Sequence, residues 1–255
     1  RRIPPLKCPD CGCQEMAHRG IGTKTVYDQV TAMFPDYKVM RWDRDSVRDA
    51  REHHNIIERF RTGEIQVLIG TQMIVKGLHF PSVTLAAAVL ADVGMGIPDY
   101  RAGERTFQHL YQLAGRAGRG SSPGRVIIQT YQPDNYAIRA AAIQDYTSFY
   151  SSEIKFREEH GNPPFGRLIR LIYSDVNSER CRLEAARTAA ILRKEKKSWG
   201  FSGIEIAGPT PCYPTKIRGR FRWQILLRGP NPRILLNKIN ISHNWIIDVD
   251  PFGTA

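Results

Sequence analysis

Between about residues 14 and 132, short β-rich apolar runs alternate with amphipathic stretches of helical period, and no other property of the chain restricts its fold as much. The runs lie near 16–21, at KVMRW (38–42), QVLIG (66–70), VTLAAAVLA (83–91) and RVIIQTY (125–131). Between them, TVYDQVTAMF (25–34) spaces Val26, Val30 and Phe34 one helical turn apart, and AREHHNIIERF does the same with Ile56, Ile57 and Phe60. Strands buried on both faces read as continuous apolar runs, and their alternation with helices implies βαβ units. The expected fold class is therefore α/β, a parallel sheet flanked by helices.

A long helical tract follows at 134–160 and is closed by GNPPFG, a Gly-Pro punctuation that a helix does not cross. The domain boundary is expected there. Beyond it the order changes to strand RLIRLIY (167–173), helix SERCRLEAARTAAILRKEKK, strand GIEIAG, strand RFRWQILLRG (220–229), short helix PRILLNKIN and strand WIIDVD. That β-α-β-β-α-β order predicts a small α+β domain of the split-βαβ type. In KIRGRFRW (216–223) arginines interleave with aromatics. The combination suits phosphate contact and base stacking, and it equally suits an edge strand protected by charge.

The chain carries 37 Lys plus Arg against 25 Asp plus Glu, a formal charge of +12. Such an excess favours an anionic partner, nucleic acid first, although a solvated basic surface would look the same. No apolar run approaches the roughly 20 residues that span a bilayer, so no membrane partner is expected. The opening RRIPPLKCPDCG has no apolar segment behind its charges and reads as the interior of a longer polypeptide rather than a signal peptide. Five cysteines are too few for a disulfide framework and point to a reducing, cytoplasmic setting. Cys8 and Cys11 form a CPDC unit that supplies half of a tetrahedral zinc site or a pair of reduced surface thiols. The isolated Cys181 and Cys212 provide no second half, so a completing pair lies upstream, in another chain, or nowhere.

The strongest chemical signal is QLAGRAGR, with Gln112, Gly115, Arg116, Gly118 and Arg119 near the end of an expected helix. Two arginines three residues apart share a helical face, and the glycines admit a phosphate close to the backbone. Arginines so placed can stabilise charge developing on a transferred phosphoryl group. They would also suit the C-terminal dipole of a solvated helix. About thirty residues earlier, VLIGTQMIVKGLHFPSVTL (67–85) runs from a strand into a polar Gly-Thr-Gln turn.

GTQM after a strand, the KGLHFP loop, PDYRAGERTFQ and QLAGRAGR together resemble motifs V and VI in the second RecA-like lobe of superfamily 2 helicases. Over essentially the whole chain, with CPDCGCQEMAHRGIGTKTVYDQVTAMFP and GPTPCYPTKIRGRFRWQILLRG, the resemblance is to the replication-restart, or primosomal, DNA helicases of that superfamily. It implies that 1–13 is the remnant of a zinc-binding insertion, 14–160 the second RecA-like lobe and 161–255 the C-terminal α+β domain. It gives Arg116 and Arg119 a contact with the triphosphate of ATP, with Gln112 positioning water or phosphate. Gly115 and Gly118 line the nucleotide. Gly70, Thr71, Gln72 and Lys76 couple nucleotide to the nucleic-acid track. Gly77 and His79 fall where relatives carry Gly and a ribose-binding Asp, so His79 lacks the usual carboxylate and reads equally as a loop histidine. Cys8 and Cys11 would share Zn2+ with an upstream cysteine pair. The implied partners are forked or single-stranded DNA, single-stranded-DNA-binding protein and other primosome proteins, in a bacterial, nucleoid-associated cytoplasmic setting.

ATP hydrolysis with Mg2+ further requires a Walker A lysine and an acidic Walker B residue. The chain contains no Gly-Lys dipeptide and no Asp-Glu pair after a strand. The expected protein is thus the C-terminal part of an ATP-dependent 3′-to-5′ helicase, inactive as this fragment. The alternative from another class is a motor-less nucleic-acid or protein-binding adaptor with a degenerate lobe.

Overall fold

The computed structural model describes residues 21–43, 46, 50–71, 80, 82–118 and 123–254. In chain order these form α1 (Thr23–Met33), β1 (Val39–Trp42), α2 (Ala50–Arg61), β2 (Val67–Gly70), β3 (Leu85–Ala88), α3 (Ala102–Ala114) and β4 (Arg125–Ile128). There follow α4 (Tyr136–Ala142), α5 (Tyr146–Glu159), β5 (Arg167–Asp175), α6 (Ser178–Ser198), β6 (Glu205–Ile217), β7 (Arg220–Gly229), α7 (Arg233–Leu236) and β8 (Trp245–Val249). The strand expected near 16–21 lies outside the described residues but for Ile21. The chain divides into two compact units, residues 1–90 with 112–129, and residues 91–111 with 130–255.

In the first unit the strands pair in parallel, as the alternation predicts. β1 lies beside β2 with Trp42 opposite Gly70, and β3 beside β4 with Leu85 opposite Arg125. Trp42 and Ile56 are buried, with Met40, Ile57 and Leu68 packed against them. The Trp42 indole N–H donates to Nδ1 of His53 at 2.8 Å, so α2 is tied to β1 by a polar bond as well as by packing. α1 forms where its Val26–Val30 spacing places it, but it buries no residue fully and starts at Gly22 without a side-chain cap.

The second unit contains one antiparallel sheet in the order β6-β7-β5-β8, the strand order of a split βαβ fold. On one face Ile169, Leu171 and Tyr173 of β5 join Ile225 and Leu227 of β7 against Cys181, Ala185, Ala189 and Leu192 of α6. Leu168, Arg170 and Ile172 alternate with them and are buried too, so β5 is covered on both faces. Asn177 caps α6 by accepting from the amides of Glu179 and Arg180.

Three features depart from the expected elements. The 134–160 tract is two helices, because Gln144 takes a left-handed φ of 54° and Asp145 starts α5 by accepting from the Ser148 amide. The strand expected at GIEIAG continues through Pro209, Pro211 and Pro214 to Ile217. β6 tolerates those prolines because it is the sheet edge, paired on one side only and irregular between Ala207 and Lys216. KIRGRFRW is the tip of the β6–β7 hairpin, turned by Arg218 and Gly219 at φ 48° and 81°. α4 and α5 lie in the second compact unit together with residues 161–255.

Candidate phosphate-contact site

β2 ends at Gly70, and Thr71 follows as an exposed bend. The carboxyl ends of parallel strands are where α/β folds hold ligands, and Thr71 stands at one such end. The neighbouring strand places Asp43 just beyond Trp42. Its carboxylate accepts from the Thr23 hydroxyl at the start of α1 and from the Ser46 amide at 2.9 Å, and lies 3.2 Å from Arg41 Nε. The Thr23 hydroxyl bond, opposed by burial and aided by Ser46 and Arg41, holds the Asp43 carboxyl below its ordinary pKa. Thr23, Asp43 and Ser46 thus join the start of α1 to the end of β1. Sequence reasoning missed this trio, since only an Asp directly after a predicted strand signalled it.

α3 buries Phe107, Leu110 and Ala114 and leaves Gln112 exposed. Gly115, Arg116 and Gly118 lie together in the turn that ends the helix. The Arg116 amide donates to the Leu113 carbonyl at 2.9 Å, and the half-buried Arg116 side chain leaves from that turn. Gly118 has φ 78°, and its amide donates to the Val83 carbonyl ahead of β3 at 3.1 Å. A Cβ on Gly118 would stand 2.5 Å from the Gly124 nitrogen, and one on Gly124 would stand 2.2 Å from the Gly118 nitrogen. Two stretches of main chain therefore cross where no side chain fits, and the turn is fixed by backbone rather than by packing. Gly124, which sequence reasoning did not single out, is half of that crossing.

A second cluster surrounds the first turn of α3. Glu104 accepts from Arg101 Nε at 2.8 Å and from Arg157 Nη2 at 2.7 Å, while Arg157 Nε reaches Glu153 at 2.7 Å. Tyr136 donates to Glu153 at 2.7 Å. A Cβ on Gly103 would stand 2.6 Å from the Tyr136 hydroxyl, so glycine there lets the ring approach the helix. The Arg101 hydrogen bond, with help from Arg157 and against burial, lowers the Glu104 pKa to about 2. Burial pushes the Tyr136 hydroxyl up. Both groups keep one protonation state across the neutral range and serve as structural partners, not as proton carriers.

Of the sequence-derived residues, Gln112, Gly115, Arg116 and Gly118 share the α3 terminus, and Gly70 and Thr71 close β2. Gln72, Lys76, Gly77, His79, Arg119, Cys8 and Cys11 lie outside the described residues. Among the described residues no cluster of His, Cys, Asp and Glu is arranged to hold a metal. Cys181 and Cys212 are buried free thiols whose pKa values burial raises, which suits packing and not ligation. No described helix is long and apolar enough to cross a membrane.

Residues 22–121 match the helicase conserved C-terminal domain family, and residues 158–252 match the primosomal protein N C-terminal domain family. With the parallel strand pairs, the glycine-crossed arginine turn and the β6-β7-β5-β8 sheet, this makes the chain a RecA-like helicase second lobe joined to a split-βαβ domain. Replication restart protein PriA of Chlamydia pneumoniae is 38% identical over 98% of this chain and 34% of its own length. The Treponema pallidum PriA is 39% identical over 91% of this chain and 34% of its own, and that of Bacillus subtilis 37% over 88% and 27%. The chain belongs to the PriA replication restart family, matches its C-terminal portion, and spans about a third of the length of these relatives.

Proposed function

We propose that this chain forms the arginine-bearing half of an ATP-driven 3′-to-5′ DNA helicase that restarts stalled replication forks and assembles the primosome in the bacterial cytoplasm. The observation that carries the reading is the turn after α3, where the Gly118–Gly124 crossing and the Gly118–Val83 hydrogen bond fix the backbone that bears Arg116. Electrostatic catalysis depends on donors already in place before charge develops, and a turn held by main chain costs no reorganisation at that moment. Arg116 and Arg119 would contact the γ-phosphate, with Gln112 beside them ordering water or phosphate. The donor set fits a triphosphate from one side only. The chain has no Gly-Lys dipeptide for a Walker A loop and no Asp-Glu pair after a strand to hold Mg2+, so both are assigned to a first lobe outside this sequence. ATP supplies the free energy of phosphoryl transfer, and this chain orients and neutralises the transferred group.

Thr71 and the Asp43 trio, at the carboxyl ends of adjacent strands, support a role in coupling nucleotide to DNA. The excess of positive charge supports DNA as the partner. Cys8 and Cys11 would complete a zinc site with a cysteine pair from the same longer protein, and single-stranded-DNA-binding protein and primosome proteins would dock on the assembled enzyme.

The test uses the complete protein with its first lobe. Arg119→Ala is expected to lower DNA-stimulated ATP turnover by at least about 10³-fold, the lower end of arginine-finger effects, with DNA affinity within about 2-fold. Unchanged turnover removes the finger assignment. A wild-type protein that binds DNA without hydrolysing ATP makes this chain part of an adaptor instead.

A further inference from the structure

The antiparallel sheet ends short of the tip of the β6–β7 hairpin. β5 stops at Asp175, opposite Phe221, so residues 217–220 project past it as a two-stranded ribbon with no third strand paired to them. Charge that protects a sheet edge would run along β6. Instead Arg222 stands on β7, between β5 and β6, and Arg218 and Arg220 lie beyond the end of β5. Phe221 and Trp223 pack against the α6 core and are not free to meet a base. Tyr213 is, because it lies in the irregular stretch of β6 between Pro211 and Lys216 and is 60% exposed.

Residues 206–247 contain seven Lys and Arg and no Asp or Glu. Arg228 is neutralised by Glu205, its Nε 3.0 Å from the carboxylate. At the tip, no carboxylate among the described residues pairs with Lys216, Arg218 or Arg220. Lys216 lies 4.7 Å from the centre of the Phe221 ring, and Arg220 Nη2 donates to the Ser174 carbonyl at 2.8 Å. Those contacts orient both side chains and leave their charge in place. Arg218 takes the first of two left-handed turn positions, at φ 48°, where Asn or Gly fits and a long side chain is disfavoured. An arginine at a strained, outermost position is poor turn chemistry, and a task for its charge accounts for it.

We propose that the β6–β7 hairpin grips single-stranded nucleic acid, with Lys216, Arg218 and Arg220 on backbone phosphates and the Tyr213 ring stacked on a base. Cations without a carboxylate partner take up phosphates, and release the counterions condensed on them, without first breaking an ion pair. A grip on single strands that is indifferent to sequence combines such a row of cations with an exposed ring. The two-residue turn holds the donors in place before the strand arrives, which lowers the ordering cost of binding. That the strand is DNA rests on the function proposed above, whereas the contact itself requires neither ATP nor the arginine turn.

The test measures anisotropy of a labelled oligodeoxythymidylate of about 15 nucleotides with this chain, in the absence of ATP. Combining Lys216→Gln, Arg218→Asn and Arg220→Gln is expected to weaken binding on the order of 10²-fold at about 0.1 M salt, and to reduce the slope of log affinity against log salt by about 2. Removing as many charges from the C-terminal end of α6, with Lys194→Gln, Lys196→Gln and Lys197→Gln, is expected to cost less than about 5-fold. Equal losses in the two variants make binding a property of net charge and overturn the proposal. Tyr213→Ala is expected to lower affinity about 10-fold at an unchanged salt slope, and an unchanged affinity overturns the base contact. Arg218→Asn alone should weaken binding about 5-fold while raising Tm, since Asn suits the turn. A raised Tm with unchanged affinity overturns the role of Arg218. A wild-type chain that binds no oligonucleotide overturns the hairpin and leaves ATP turnover of the complete protein to decide the proposed function. Hairpin-dependent binding in a complete protein that hydrolyses no ATP does the reverse.

Discussion

The two units meet the requirement of burial in different ways. In the split-βαβ sheet, β5 is covered on both faces, and a continuous cluster from Ile169 to Trp245 closes over α6. In the first unit the described core around Trp42 and Ile56 is smaller, and β3 and β4 leave Leu85 and Ile127 54% and 49% exposed. The residues assigned to chemistry sit in the thinner unit, at strand ends and in a turn held by main chain. The larger core and the residues proposed for chemistry thus fall in different parts of the chain, as expected where a proposed site must respond to a ligand.

The contrast can be broken most directly at the cores. Leu171→Ala is expected to cost about 3–4 kcal/mol in urea unfolding of the second unit, because a fully buried leucine leaves a cavity. Ile56→Ala, in the smaller cluster, is expected to cost about 2 kcal/mol, at the low end for such truncations. Equal losses would show that the first unit packs as tightly as the second.

A smaller effect sharpens the electrostatic side. The folded pKa of Glu104, about 2, lies below its ordinary 4.5, so its stabilisation is complete above that ordinary value and is lost as pH falls toward 2. With partial solvent exposure this amounts to about 2 kcal/mol in the second unit. Urea midpoints measured from pH 6 to pH 2 should fall, and Glu104→Gln should flatten that fall. A wild-type profile as flat as that of the mutant would remove the Arg101–Glu104–Arg157 network as a source of stability.

The smallest effect compares helix starts. α6 has its Asn177 cap, whereas α1 begins at Gly22, whose extended backbone and open surroundings accept a side chain. Asn177→Ala should cost about 1 kcal/mol, and Gly22→Ser should gain only a few tenths. Thermal unfolding of the two variants checks the pair, and a gain at Gly22 as large as the loss at Asn177 would contradict it.

Much of the fold was legible because hydrophobic period is a local property. β1, β2, β4 and α2 fall within or close to the stretches that their apolar spacing marks, and the β-α-β-β-α-β order of the second unit is the one observed. The prolines of β6 conceal a strand that only its edge position permits. The break at Gln144–Asp145 carries neither Gly nor Pro, and only the capping bond of Asp145 reveals it. In the site, glycine spacing pointed to Gly115, Arg116 and Gly118. Gly124 and the Thr23–Asp43 bond were not legible, because each contact joins positions that only the folded chain brings together.

The grouping of residues 91–111 with 130–255 bears on how this polypeptide can be taken apart. The backbone passes from one unit to the other after Leu90, Tyr111 and Gln129, so no single cut separates them, and one passage falls within α3. A fragment begun at residue 158, where the match to the second family starts, would keep the sheet but forfeit Arg157, Glu104 and Asp99. Its last residues would then have no helix to lie against. A piece started at Ala91, where the second unit begins upstream of α3, keeps those partners, and it carries the arginine turn with it.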